Sequence, residues 1–117
     1  MSINNVLAGI SVKDFTSAVA WYERLLNRPT DSLPMEGLAE WQFAQGGRLQ
    51  VFQDKDRGGS SSVTLVVTSL DDQLAKLQTE GISVGPTQTN PGLRKIAMVT
   101  DSEGNRITFV EDLTADK

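Results

Sequence analysis

The residue types that most often carry out chemistry in proteins are missing from this sequence. The chain of 117 residues contains neither histidine nor cysteine. Histidine is the commonest metal ligand and the usual acid–base group near neutral pH, and cysteine supplies thiolate ligands, nucleophiles and disulfides. Within this chain, the composition therefore excludes a Ser/His/Asp triad, a cysteine nucleophile and a metal site built on imidazole or thiolate.

The charge pattern excludes further classes of function. Eleven Lys and Arg residues stand against fifteen Asp and Glu residues, giving a net charge of −4, and no basic run of five or more residues occurs. Binding of duplex nucleic acid needs a concentrated positive surface, so no nucleic-acid partner is expected. The Gly46-Gly47 and Gly58-Gly59 pairs lack the helix start and spaced lysine of a phosphate-binding loop. Because no long apolar segment or secretory signal is recognisable, we expect a cytoplasmic protein without a membrane partner.

Hydrophobic periodicity predicts the elements that must position any site. In the first half it predicts strands over 6–12, 38–45 and 48–53, a helix over 16–26 and a loop over 30–37. In the second half it predicts strands over 63–68, 94–100 and 106–111, a further strand beginning at 82–84, a helix over 70–80 and a loop over 87–92. The fold class is therefore α+β. A Gly/Ser-rich segment, 55–61, is predicted to be a flexible linker between halves 1–54 and 62–113 of a single domain, 1–117.

The two halves repeat one another. Val12 matches Val67 at an offset of 55 (67 − 12), and Leu49 matches Ile107 at an offset of 58 (107 − 49). Each half is interpreted as a β-α-β-β-β unit. Such a unit exposes one sheet face that it cannot cover alone, so the two halves should pair.

Segments at both ends of the chain resemble the vicinal oxygen chelate superfamily, which includes glyoxalase I, the bleomycin-resistance proteins and the extradiol dioxygenases. The opening strand and helix of that superfamily are similar to Ile10-Ser11-Val12-Lys13-Asp14, Ala18, Trp21-Tyr22 and Leu25-Leu26. Its closing D-P-x-G-N hairpin is similar to residues 101–107, with Ser102 in place of the proline. The resemblance implies two paired βαβββ modules that form a cupped, eight-stranded mixed sheet, with helices outside and a cavity inside.

The resemblance also locates the places where metal-dependent members bind a divalent ion. Those members use four cavity-facing His, Gln or Glu side chains, one in the first and one in the last strand of each half. The corresponding places here are Leu7, Gln50, Ser62 and Thr108, and their separations of 55 (62 − 7) and 58 (108 − 50) repeat the offsets between the halves. Leucine has no lone pair, and uncharged oxygens are weak ligands for transition metals. The resemblance thus implies a member without the metal, and no metal or cofactor is expected.

Other side chains are expected to line the same cavity. Trp41 and Phe43 would form an aromatic wall, with core packing as the alternative. Arg48 and Arg106 share the strand faces of the mapped positions and could bind an anionic group, with solvated surface as the alternative. The full predicted set is Leu7, Trp41, Phe43, Arg48, Gln50, Phe52, Ser62, Thr64, Arg106 and Thr108.

These features favour a metal-free protein of the bleomycin-resistance type that sequesters a small, partly apolar compound such as a drug or toxin. By the same resemblance we expect a homodimer. Two alternatives stay open at this point. One is a metal-dependent lyase, isomerase or dioxygenase of the superfamily, and the other is a non-catalytic interaction module with a collapsed cavity.

Overall fold

The chain forms two modules, each a strand, a helix and three further strands. The structure is a computed structural model that describes residues 2–3, 5–90 and 94–112. Module 1 contains β1 (Leu7–Val12), α1 (Phe15–Leu26), β2 (Ser32–Met35), β3 (Leu38–Gln42) and β4 (Arg48–Gln53). Module 2 contains β5 (Ser62–Val66), α2 (Leu70–Thr79), β6 (Gln88–Asn90), β7 (Arg94–Thr100) and β8 (Arg106–Asp112). The paired βαβββ fold expected from the sequence is confirmed.

Each module builds one four-stranded mixed sheet. The strand orders are β1-β4-β3-β2 and β5-β8-β7-β6. The first and last strands of each module are parallel neighbours, and the remaining pairs are antiparallel. The helix after the first strand provides the crossover that returns the chain to the sheet for its later strands. The two sheets adjoin through their edge strands β1 and β5.

Local sequence explains where the helices begin and end. The carboxylate of Asp14 accepts a hydrogen bond from the amide of Ser17 at 3.2 Å and caps the start of α1. Asn27 ends this helix in the left-handed conformation, with φ of 60°, which asparagine tolerates better than most residues. Ser69 caps α2 in the same way as Asp14 caps α1, through the amide of Asp72. Between these ends, the apolar stripe of each helix faces its sheet, with Tyr22 and Leu25 of α1 and Leu70 and Leu77 of α2 buried.

The two faces of each sheet have different roles. One face, called here the helix-covered face, packs against α1 and α2 and supplies the core. Its fully buried members include Ile10, Val12, Trp41, Leu49, Val51, Ile107 and Phe109. On the opposite face, called here the open face, no helix formed by the described residues packs. Strand registers place on it Leu7, Gly9, Leu38, Glu40, Arg48, Gln50 and Phe52 from module 1, and Ser62, Thr64, Val66, Met98, Arg106 and Thr108 from module 2.

A buried polar network joins the modules. The Asn105 side chain is fully buried, and its Nδ2 donates to the Ser11 carbonyl at 3.1 Å and to Asp101 Oδ2 at 2.8 Å. Its Oδ1 accepts from the Ser61 amide at 2.8 Å. The Tyr22 hydroxyl donates to Asp101 Oδ2 at 2.7 Å. Burial, together with this hydrogen bond, raises the pKa of Tyr22 far above its ordinary value.

Two sequence predictions about elements need correction. The predicted loop over 30–37 contains the edge strand β2, which tolerates Pro34 because an edge strand has ladder bonds on one side only. The strand predicted to begin at 82–84 is absent, and β6 lies instead inside the predicted loop 87–92. Within the segment predicted to be a linker, residues 55–59 form a turn, and the Gly59 amide donates to the Ser11 carbonyl at 3.1 Å. In the part of the chain that the structure describes, no helix is long and apolar enough to cross a membrane.

Candidate functional site: the open face

A buried carboxylate lies at the centre of the open face in module 1. Glu40 on β3 is only 7% exposed. It lies opposite Gln50 on β4, whose Nε2 donates to Glu40 Oε2 at 2.6 Å. Arg48 Nη1 lies 3.6 Å from the other carboxylate oxygen. A buried charge is stabilised by this combination of a hydrogen bond and an ion pair, so the three side chains form a fixed polar patch.

An aromatic ring lies beside this polar patch. A Cβ atom added to Gly9 would lie 3.1 Å from Cε1 of Phe52, so the Phe52 ring occupies the space above the Gly9 backbone. Leu38 is the cross-strand partner of Phe52, and Leu7 lies two rows away on the same face with 41% of its surface exposed. These residues form an accessible apolar surface on which a planar or apolar compound could pack.

Module 2 contributes mainly uncharged hydrogen-bonding groups. Thr108 lies between Thr64 and Met98 across three neighbouring strands. Arg106 lies one row from Thr108, between Ser62 on β5 and Thr100 at the end of β7. Met98 is 44% exposed. The open face of this module therefore combines hydroxyl groups, one guanidinium group and exposed apolar surface.

Eight of the ten residues predicted to line a cavity share the open face, and two do not. Trp41 is fully buried on the helix-covered face, opposite Leu49, and its indole N–H donates to the Arg28 carbonyl at 3.2 Å. The expectation that Trp41 walls the cavity is therefore wrong, and its alternative, core packing, is what the structure has. Phe43 follows the end of β3 and starts the turn to β4, with the Arg28 guanidinium 5.7 Å from its ring centre.

Phe43 lines a cleft beside β1 and β5 that also reaches Arg48 and Thr64 of the open face. The cleft has a volume of about 330 Å³. Apolar side chains dominate its lining, including Val6, Ala8, Leu65 and Val66. The sequence analysis placed Phe43 and Trp41 on the same side of one strand. The strand ends at Gln42, so Trp41 lies in the core whereas Phe43 lines the cleft.

The fold just described is shared with solved structures. The crystal structure of a glyoxalase / bleomycin resistance protein from Catenulispora acidiphila DSM 44928 is 30% identical to this chain, with a TM-score of 0.85, and the alignment covers 93% of this chain and 98% of that one. This chain belongs to the glyoxalase/bleomycin resistance family. No family sequence model matches the chain, and no curated protein matches it by sequence.

More distant members of the same fold are also similar. A bleomycin resistance determinant encoded on transposon Tn5 is 16% identical, with a TM-score of 0.78, and 94% of this chain and 98% of that chain are covered. TnmS3, an antibiotic binding protein from Streptomyces sp. CB03234, is 22% identical, with a TM-score of 0.80, and 96% of this chain and 98% of that chain are covered. At these identities the likeness establishes the shared fold.

The residues at the metal positions of this glyoxalase/bleomycin resistance protein do not fit a metal ion. Leu7, Gln50, Ser62 and Thr108 offer no imidazole, thiolate or carboxylate. Among the described residues, no group of three or more His, Cys, Asp or Glu could hold an ion. The nearby carboxylate of Glu40 already accepts from Gln50 and pairs with a guanidinium group. The donor set of the catalytic branch is therefore not reproduced.

Glu40 is the residue that sequence reasoning missed. The Gly46-Gly47 pair does not predict this contact, because a two-residue turn at 46–47 would pair Gln45 with Arg48 and Glu40 with Gln53. In the structure β3 ends at Gln42 and residues 43–47 form the connection, so Glu40 pairs with Gln50 instead.

Proposed function

We propose that this protein binds a small, partly apolar compound on its open face without a metal ion, and that sequestration of an antibiotic or toxin is its role. The observation that carries the proposal is the composition of the open face. It combines an apolar surface around the half-buried ring of Phe52 with the amide of Gln50 and the hydroxyls of Thr64 and Thr108. Ligand sites are typically apolar surfaces with a few convergent polar groups.

Two solved neighbours support this role by the ligands they hold. One structure with a TM-score of 0.77 and 16% identity is a bleomycin-binding protein complexed with bleomycin. TnmS3 is described as an antibiotic binding protein. The metal positions of the present chain lack the donors that a metal-dependent lyase, isomerase or dioxygenase would need. Binding therefore fits these residues better than metal-assisted catalysis.

We further propose that the protein acts as a homodimer whose second copy closes the open face. The molecule measures 42 × 42 × 24 Å, so it is a flat body. Leu7, Met98 and Val66 leave 41%, 44% and 75% of their surfaces exposed. A drug-sized ligand usually has most of its surface buried in its site, and one flat face cannot enclose it. The cytoplasm remains the expected compartment.

Calorimetric titration with a panel of natural-product antibiotics and aromatic metabolites tests the binding role. For any compound that binds, Phe52→Ala and Thr108→Val should each weaken affinity about tenfold, because each removes about 1–2 kcal/mol of packing or hydrogen bonding. Thr79→Val is the matched control, since it removes an exposed hydroxyl at the end of α2.

Three results would contradict the proposal. The first is a wide panel without a single binder. The second is a binder whose affinity is equally insensitive to Phe52→Ala and to Thr79→Val. The third is stoichiometric divalent metal in purified protein, measured by elemental analysis, which would favour the enzymatic branch. Sedimentation analysis with and without the bound compound tests the dimer, and a monomer in both conditions would refute that part.

A further inference from the structure

A small polar pocket lies at the junction of the modules, at one edge of the open face. Its volume is about 230 Å³, and its lining is Gly59, Ser60, Ser61, Ser62, Gly104 and Arg106. The lining residues are glycines, serines and one arginine, so none of them carries a carboxylate or an apolar side chain. This volume equals roughly eight water molecules at ~30 Å³ each, which leaves room for a tetrahedral or planar oxyanion together with some of its water.

Two turns form this junction pocket, and glycine allows them to meet. Gly59 has φ of +97°, and a Cβ atom there would collide with the carbonyl oxygen of Glu103. Gly104 has φ of +104°, and a Cβ atom there would lie 3.2 Å from the carbonyl oxygen of Gly59. Any other residue would be strained in these conformations and would push the turns apart. The walls of the pocket are therefore fixed by backbone contacts.

Arg106 supplies the positive charge of the junction pocket. Its backbone amide donates to the Ser61 carbonyl at 2.9 Å, which fixes the start of β8 beside the serines. Within the described part of the chain, Arg106 makes no salt bridge, whereas Arg48 pairs with Glu40 at 3.6 Å. The two arginines of the open face thus differ, and only Arg106 keeps its guanidinium available for a ligand.

The acidic groups nearest the junction pocket are directed elsewhere. The Glu103 carboxylate accepts from the backbone amides of Lys13 and Asp14 at 2.6 and 2.9 Å, which orients it toward the start of α1. Asp101 accepts from Tyr22 and from Asn105 inside the buried network. With these carboxylates held by other donors, the electrostatic character of the pocket is set by the guanidinium group and by hydroxyl groups.

We propose that the junction pocket binds an oxyanion, a phosphate or carboxylate group, through the Arg106 guanidinium and the hydroxyls of Ser60 and Ser62. A guanidinium fork and hydroxyl donors match such groups in both charge and geometry. The Ser61 hydroxyl is already engaged with the Ser11 amide at 2.9 Å. Because Arg106 and Ser62 also belong to the open face, the oxyanion is either free in solution or the acidic group of the compound bound there. The second source rests on the proposed function, and the first does not.

Titration with inorganic phosphate tests the junction pocket on the whole chain, at constant ionic strength with chloride as the reference anion. Wild-type protein should show saturable binding by calorimetry and a phosphate-dependent rise in melting temperature. Arg106→Gln should lower phosphate affinity at least tenfold, Arg106→Lys should lower it less, and Arg48→Gln should leave it within about twofold, since Arg48 is paired with a carboxylate. A cooperative urea transition for each variant verifies folding.

Benzoate and acetate distinguish the two sources of the oxyanion. If the group belongs to the compound on the open face, benzoate binds more tightly than acetate, and Phe52→Ala weakens benzoate but not phosphate. If the pocket takes a free anion, the two carboxylates bind alike and Phe52→Ala changes neither. The proposal is overturned if wild type binds phosphate no better than chloride, or if Arg48→Gln and Arg106→Gln have equal effects. In that case, antibiotic binding that still depends on Phe52 would leave the proposed function standing.

Discussion

Removing a single hydroxyl group, by Tyr22→Phe, should reveal how much the buried junction network stabilises the fold. Tyr22 is fully buried against its sheet, and its hydroxyl donates to Asp101 Oδ2 at 2.7 Å. The substitution keeps the ring and deletes only the donor. Asp101 Oδ2 keeps its second donor, Asn105 Nδ2 at 2.8 Å. The carboxylate is therefore weakened in its hydrogen bonding but not left without a partner.

The expected loss can be estimated from this geometry. Hydrogen bonds to charged groups contribute about 1.5–3 kcal/mol. Because one donor to the same oxygen remains, we expect a loss of about 2 kcal/mol in the free energy of unfolding near neutral pH, measured by urea denaturation. Thr79→Val is the control for hydroxyl removal. Its hydroxyl is exposed and bonds only the Ala75 carbonyl, so its effect should stay within about 0.5 kcal/mol.

The same substitution makes a prediction about pH. Burial and the hydrogen bond to Asp101 raise the pKa of Tyr22 in the folded protein. An unfolded tyrosine ionises near pH 10, and the folded one stays neutral there, so its contribution to stability is complete below about pH 10 and is lost above it. The loss is about 1.4 kcal/mol per pH unit. The gap of about 2 kcal/mol between wild type and Tyr22→Phe should therefore close near pH ~11.5.

The chain contains one tyrosine, so the near-ultraviolet absorbance of tyrosinate reports Tyr22 alone. In wild type, this absorbance should rise together with the loss of circular dichroism, because ionisation requires unfolding. The reasoning is refuted if tyrosinate forms while the dichroism stays native. A stability gap that stays constant from neutral to alkaline pH would refute it equally.

Three further predictions follow from the packing. Gly59→Ala should lower the free energy of unfolding, measured by urea denaturation, by several kcal/mol more than Gly46→Ala. The two glycines share a φ near +98°, but only at Gly59 would an added Cβ atom meet a backbone oxygen. Equal effects would show that the turns do not touch. Acrylamide should quench Trp21 and spare the fully buried Trp41, so Trp41→Phe should keep most of the quenchable fluorescence; loss of the quenching in that variant would show that Trp41 is accessible. Asn105→Ala should lower the free energy of unfolding by about 2–4 kcal/mol, because it removes hydrogen bonds to Ser11 and Asp101 and leaves the Ser61 amide without its partner. A change below about 0.5 kcal/mol would contradict the role of the network.

The sequence predicted the fold well where elements are amphipathic and repeated. The offset of 55 between Val12 and Val67, together with apolar alternation, predicted both helices and the central strands. The edge strands β2 and β6 were missed. They have four and three residues and one neighbouring strand each, so neither carries the alternation that a sheet covered on one face imposes on its inner strands. Pro34 further disguises β2, since proline usually argues against a strand.

The candidate site was predicted less completely, for a reason that Trp41 illustrates. Alternation shows which residues of a strand share a side, but not which side faces the helices. The register with Leu49 settles that Trp41 belongs to the core. The same register brings Glu40 to Gln50, a contact between residues ten positions apart that no single-strand pattern contains. Repeat offsets fared better, and they placed Ser62 and Thr108 on the open face because the two modules follow one plan.

The division between the two faces explains how this family fold persists without its metal donors. Stability comes from the helix-covered core and from the junction network around Asn105, and neither involves the four metal positions. Leu7, with 41% of its surface exposed, is not part of that core, so its side chain is free to differ from a metal ligand at little structural cost. Side chains on the open face can therefore be substituted without loss of the core or of the junction network. In this chain the open face carries an apolar surface, uncharged hydrogen-bonding groups, the Glu40–Arg48 ion pair and the Arg106 guanidinium group.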